Sequence, residues 1–340
     1  MKRRATMRRF VVTLAAAVAV LAVPSPGRAA WPERPITMIV PFAAGGPTDV
    51  VARIVAENMS RTVGQQIVVE NVAGAGGTTG SLRAAQAPPD GYTIEMGHMG
   101  THGAAPGAYP DLKYDPTKDF EPIGLAAGTP IVVVAKKDFP AKDLKEFVAY
   151  VKQNSEKLNE AHAGTGSVSY TTCALFNSLV GSKPTRIAYR GTGPALNDLV
   201  SGQVDYMCDQ IVNLVPQIQA GTIKAYAVAL AARSPALPDV PTTKEAGLPE
   251  FEVTAWNALF APKGTPKEIV QKLNGALVKA LDDPNTRKRL LELGADLSNK
   301  AATTPDGLRK LVQSEVARWN KVLKTAGPSK EAPVKEAPKK

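Results

Sequence analysis

The strongest constraint on this chain is a unit that recurs along it: a short apolar run, a turn containing glycine, then an apolar stripe at helical spacing. Pro35-Ile36-Thr37-Met38-Ile39-Val40-Pro41 is the first run, Phe42 to Thr48 the turn, and Val50, Val51, Ile54, Val55 and Met59 the stripe. Apolar residues at i, i+3 and i+4 share a face only on a helix, whereas a short unbroken apolar run suits a strand covered on both sides. The unit returns as Gln66–Asn71, then Gly74-Ala75-Gly76-Gly77, then a helix over about Thr79–Ala87. Tyr92–Met96 adds a third strand, followed by Gly97-His98-Met99-Gly100-Thr101. After Ile123 a second series places strands at Ile131–Ala135, Asn159–Ala163, Arg186–Tyr189, Val204–Cys208 and Ile223–Leu230. Helices fall between them at Leu144–Val151, through Leu175 and Leu179, and at Ala195–Val200. This alternation predicts an α/β protein with parallel or mixed sheets flanked by helices. The chain then turns helical: Ile269 to Leu281 carries one apolar face, and Thr304-Pro305-Asp306 opens another helix with proline at its first position.

Both ends differ from this pattern. Lys2, Arg3, Arg4, Arg8 and Arg9 precede an uncharged, mostly apolar stretch from Phe10 to Val23, and Pro24 to Ala29 ends in small residues. That run is too short to span a membrane comfortably, so residues 1–29 read as a cleavable signal peptide and the protein is expected in the periplasm. The general export route and the twin-arginine route both remain open. Residues 327–340 hold Pro, Lys, Glu and Ala without periodicity and are expected to be a disordered, solvated tail.

The leader also explains the charge. The whole chain has a net charge of +10, but residues 1–29 hold six of its 41 Lys and Arg and no acid, leaving 35 bases against 31 acids. A nucleic-acid footprint needs clustered basic charge, so no nucleic-acid partner is expected. Two cysteines, Cys173 and Cys208, allow one disulfide in an oxidising compartment, and two buried free thiols are the alternative.

At Pro41-Phe42-Ala43-Ala44-Gly45-Gly46-Pro47-Thr48-Asp49 the sequence resembles the tripartite tricarboxylate transporter substrate-binding proteins, the TctC or Bug family. Four further segments carry the resemblance: Val69-Glu70-Asn71 with the glycines from Gly74; Asp90-Gly91-Tyr92; Tyr189-Arg190-Gly191-Thr192-Gly193-Pro194-Ala195; and Leu259-Phe260-Ala261-Pro262. They run in the family's order over Trp31 to Gly327. The resemblance implies a type II periplasmic-binding-protein fold, two lobes joined by a two-strand hinge. Residues 30–125 plus 257–326 would form lobe 1 and 126–256 lobe 2, with crossings near Ala126–Thr129 and Ala255–Trp256. It further implies a monomeric receptor, not an enzyme and without a cofactor. Such a receptor captures a small carboxylate (a di- or tricarboxylate, an amino acid or an aromatic acid) for the membrane subunits of a tripartite transporter.

The residues make a physical case of their own. In open α/β sheets, ligands sit at the carboxyl ends of strands, where helix N-termini present unpaired N–H groups. One expected loop supplies Phe42, Ala44, Gly45, Gly46, Thr48 and Asp49, the other Gly166, Ser167, Val168, Ser169 and Tyr170. Neither contains Lys or Arg, so backbone amides and the hydroxyls of Thr48, Ser167 and Ser169 are expected to hold the anion. By resemblance the site adds His98, Thr101 and Asp209. Arg190 is the nearby cation that could meet a second carboxylate, or equally form a surface salt bridge. Asp209 would repel that carboxylate unless it bonds an amine, a hydroxyl or water.

Rival readings fare less well. The glycines from Gly74 fit a dinucleotide loop poorly, because the third glycine position falls on Thr79. His98 and His102 have helical metal spacing, but glycines interrupt a helix there and no third ligand is evident. Ser167 and Ser169 lack the strand–nucleophile–helix pentapeptide, and with three histidines in the chain a secreted hydrolase is poorly supplied. A sensory binding protein that hands its ligand to a signalling partner is the remaining alternative. Trp256 is expected to pack at the hinge rather than stack on ligand.

Overall fold

The computed structural model describes residues 31–326 and 331–332; the expected signal peptide and most of the tail lie outside them. Parallel pairing begins as the sequence dictates. The apolar run β1 (Ile36–Val40) lies between β2 (Ile67–Asn71) and β3 (Thr93–His98), parallel to both. Helix α1 (Pro47–Val63) starts with Gly46 as its extended N-cap and Pro47 in its first turn, and Asp49 faces the positive end of its dipole. Its stripe of Val51, Ile54, Val55 and Met59 is buried, and Gly64, at φ 78°, ends it with an N–H bond to the Ser60 carbonyl. Helix α2 (Thr78–Ala85) follows β2.

The strand read at Ile131–Ala135 is longer than expected: β4 runs from Phe120 to Lys136. Its first part pairs antiparallel with β9 (Thr254–Pro262), which continues to β3. From Ile131 it pairs instead with β7 (Tyr206–Gln210) and β8 (Ile223–Val228), both antiparallel. Beyond β7 come β5 (Asn159–His162) and β6 (Thr185–Ala188), parallel to each other. One strand thus serves two half-sheets, and its change of partner at Pro130–Ile131 falls just beyond the segment predicted for the first crossing. On the returning strand the Val253 N–H still bonds to Ala229, and pairing with β4 starts at Thr254.

The helices of the second half follow its strands: α3 (Leu144–Gln153), α4 (Val168–Val180), α5 (Thr192–Val200) and α6 (Ile211–Gln219). The chain closes with α7 (Lys267–Asp282), α8 (Pro284–Glu292) and α9 (Pro305–Ala326). α7 packs on α1, and α9 packs on β4 and on the turn after β3. Trp256 is buried and donates to Glu315 of α9 (3.3 Å). In the expected tail, Glu331–Ala332 form a two-residue β10 parallel to β6, so part of that segment pairs rather than remaining unstructured. Backbone donors and acceptors on the outer edge of β6 explain the pairing.

Cys173 on α4 and Cys208 on β7 are free, buried thiols and not a disulfide. Burial pushes both thiols above their usual range.

Candidate binding site

Three helices begin where parallel strands end, and their first turns meet at one point. Gly46, Pro47 and Thr48 come from α1 after β1, and Ser167, Val168 and Ser169 from the start of α4 after β5. Thr192 comes from α5 after β6. With Phe42, Asp49, His98, Ala163, Asp209 and Gln210 they enclose a cavity of about 10 Å³. That is room for about one water molecule.

The halves are in main-chain contact around it. Ala43 N–H donates to the Arg190 carbonyl (3.2 Å). The Tyr109 hydroxyl lies 2.9 Å from the Ala75 carbonyl and 2.7 Å from that of Thr165. Gly193 sits so close to the Ala44 carbonyl that a Cβ there would overlap it. Glycine is needed here for close approach and not for its φ.

Each loop is braced by its own half. The Asp49 carboxylate accepts from Gly45 N–H (3.1 Å), Arg53 Nε (3.0 Å) and Asn71 Nδ2 (2.9 Å). Burial alone would raise its pKa, but the bonds from Arg53, Gly45 and Asn71 prevail and hold it below the ordinary carboxylate range. Asp49 therefore borders the cavity with an acceptor set already committed to shaping the loop. In the second half, Ser167 caps α4 by accepting from Tyr170 N–H (3.2 Å), while Ser169 Oγ accepts from Ala163 N–H (3.0 Å). The two hydroxyls also lie 3.4 Å apart, so one donates to the other and the remaining proton is left to offer.

His98 stacks on Phe42 at 4.7 Å, and its Nδ1 accepts from Gly100 N–H (2.9 Å) and Thr101 N–H (3.1 Å). Those donors fix the proton on Nε2. Burial lowers its pKa to about 4, so His98 is a neutral donor. Asp209 is fully buried; burial pushes its carboxyl up to about 7 against the pull of the Gln210 amide, Thr192 and Asn213. Its Oδ2 accepts from Asn213 (3.3 Å), and Oδ1 has no partner among the described residues. Gln210 Oε1 accepts from Thr129 (2.6 Å) and Asn257 (2.9 Å), tying the cavity floor to both crossing strands.

Of the residues expected from sequence, Phe42, Gly46, Thr48, Asp49, His98, Ser167, Val168, Ser169 and Asp209 line the cavity. Ala44, Gly45, Gly166 and Tyr170 do not line it, though they belong to the same loops, and Tyr170 N–H donates to the Ser167 cap. Thr101 does not line it: its hydroxyl bonds to the His98 main chain, turned inward by a π-helical turn over Gly100–Ala104 where an open loop was expected. Arg190 is exposed and outside the lining. Thr192, Pro47, Ala163 and Gln210 were missed. Thr192 carried a usable signal, since Tyr189 to Ala195 repeats the strand–glycine–helix pattern of the other two loops.

A cleft of converging helix N-termini between two α/β halves, joined by shared strands, defines a solute-binding protein of the periplasmic type. The tripartite tricarboxylate transporter family receptor model, TctC, matches residues 51–327, and the chain belongs to that family. Solved structures agree. MatC (Rpa3494) from Rhodopseudomonas palustris with bound malate is 52% identical, with TM-score 0.84, covering 86% of this chain and 100% of that one. The periplasmic binding protein BugD is 45% identical, with TM-score 0.85 and coverage of 89% and 100%. R. palustris Rpa4515 with adipate is 34% identical, with TM-score 0.84 and the same coverages. The family and these structures are substrate-binding proteins, not enzymes. Among the described residues no helix is long and apolar enough to cross a membrane.

Proposed function

We propose that this protein captures a small dicarboxylate between its lobes in the periplasm and delivers it, as a monomer, to the membrane subunits of a tripartite transporter. Residues 1–29 serve as its export signal, and residues 30–125 with 257–326 close against 126–256 around the solute. The observation that carries this reading is the meeting of three helix N-termini and several neutral hydroxyl and imidazole donors at a cavity with no Lys or Arg in its wall. Main-chain N–H groups at helix starts bind anions without a counter-charge. Each hydrogen bond to a charged group contributes roughly 1.5–3 kcal/mol. Three or four of them together with apolar contact, set against the ordering cost, are compatible with about −8 kcal/mol, near micromolar affinity. The malate and adipate seen in related structures are of the same chemical class.

Thermal-shift and calorimetric titration of the mature chain against malate, succinate, adipate and citrate tests the reading, with glucose and inorganic phosphate as controls. At least one diacid should raise the melting temperature and bind with a Kd near micromolar. A panel in which no carboxylate binds, or in which the bound acid is chemically altered, would overturn it.

A further inference from the structure

The cavity wall holds many donors, and against them stands one acidic acceptor whose valence is open. Asp209 sits at the end of β7 with no solvent exposure. Asn213 occupies Oδ2, and Oδ1 has no partner among the described residues. Asp49 also borders the cavity, but its oxygens are taken by Gly45, Arg53 and Asn71. The two acids therefore differ in role: Asp49 shapes a loop, while Asp209 retains an atom to offer a solute. A buried carboxylate oxygen without a partner costs free energy, and a ligand that brings a donor to it recovers that cost.

Resting on the carboxylate-binding reading above, we infer that Asp209 selects for a hydroxyl group on the captured acid, so that the preferred solute is a hydroxy-dicarboxylate. A second ligand carboxylate at this point would meet a like charge. A hydroxyl brings one proton to one open oxygen and no net charge. An ammonium would bring three donors and a positive charge, and among the lining residues Asp209 is the one acid with an open oxygen. Thr192 and Gln210 beside it help fix the ligand's position, Gln210 being held by Thr129 and Asn257. A site built to hydrogen-bond a ligand hydroxyl rejects the analogue lacking it far more strongly than an apolar pocket rejects a size change.

The test is a calorimetric comparison of malate, succinate and aspartate on the wild type, Asp209→Asn and Asp209→Ala, each checked for folding by circular dichroism and melting. The wild type should bind malate about ten- to hundredfold more tightly than succinate. In Asp209→Ala that ratio should collapse toward one, chiefly through loss of malate affinity; Asp209→Asn, a neutral acceptor, should fall between. Equal wild-type affinities for malate and succinate would overturn the inference yet leave carboxylate capture intact, whereas no binding of any diacid would overturn the underlying function. Aspartate binding more tightly than malate would also overturn the hydroxyl assignment.

The pH dependence gives a second readout. The ionisable groups around Asp209 are Asp49, paired with Arg53, and neutral His98 across the cavity, with Cys208 beside it and Cys173 behind. Malate's advantage over succinate should grow several-fold from pH 6 to 8, as Asp209 loses its proton and becomes the better acceptor, and stay flat in Asp209→Asn. An advantage that shrinks over that range would make Asp209 a donor and contradict the inference.

Discussion

The two loops proposed to hold the anion are each backed by an acid–arginine pair, yet the pairs work differently. In the first half the acid stands on α1 itself, and its arginine is half exposed: Arg53 lies 2.9 Å from Asp49 with 52% of its side chain accessible. In the second half Glu160 on β5 and Arg186 on β6 are 3.1 Å apart and almost fully buried. Arg186 also donates to the Tyr170 carbonyl (2.7 Å) and lies 3.9 Å over that ring, so it props the first turn of α4 from behind. The electrostatics follow burial. Asp49 is pulled below the ordinary range, whereas burial raises Glu160 despite the opposing pull of Arg186 and Asn177. Fixed charge thus shapes both loops from behind, while the cavity wall presents neutral donors. One loop rests on a pair that water can partly replace; the other does not.

That contrast can be broken most forcefully in the second half. Arg186→Ala strands Glu160 in a buried site and should destabilise the protein by about 3–5 kcal/mol, measured by urea denaturation. A loss below 1 kcal/mol would refute the buried-prop role. Next come substitutions where the halves touch. A Cβ at Gly46 would lie 3.1 Å from Thr192 Oγ1, and one at Gly193 would overlap Ala44. Gly46→Val and Gly193→Val should each weaken solute binding about a hundredfold or more by holding the lobes apart, with the unliganded melting temperature shifted by a few degrees at most. Wild-type affinity in both would show that closure does not use this contact.

Asp49→Asn should cost less, about 1–2 kcal/mol at neutral pH, because Arg53 is half exposed and its pair is screened. The sign with pH follows from the lowered pKa. Asp49's contribution is present above the unfolded carboxyl pKa of about 3.9 and is lost as pH falls through its depressed native value, so wild type and variant should converge as the pH drops to that value and below. A difference that persists there would mean the carboxylate acts by packing rather than charge. The smallest effect belongs to Arg190→Ala, which should change affinity less than threefold, since the side chain lies outside the cavity wall. A tenfold loss would restore it to the site.

Much of this was legible in the chain because it is local. β1 and α1 announce themselves through an apolar run and a 3.6-residue stripe. Two loops without Lys or Arg were enough to predict an anion site built from main chain and hydroxyls. What was hidden is tertiary. β4 reads as a strand only from Ile131, because Gly124, Pro122 and Pro130 interrupt the pattern where β9 later covers it. Thr101 was expected at the ligand by resemblance and Asp49 from its place in the first loop, but a π-helical turn commits the first to His98, and Arg53 with Asn71 commits the second to the loop. Sequence places a polar side chain near a site; the partners that use up its valence come from elsewhere in the fold.

A crystal structure of the mature protein with malate bound, or with the tightest acid in the panel if another prevails, tests the account most directly. The account predicts one carboxylate between the lobes, its oxygens within hydrogen-bond distance of main-chain N–H groups at the starts of α1, α4 or α5 and of the Ser167 or Ser169 hydroxyl. A carboxylate held instead by a lysine or arginine side chain, or seated outside the inter-lobe cleft, would contradict it.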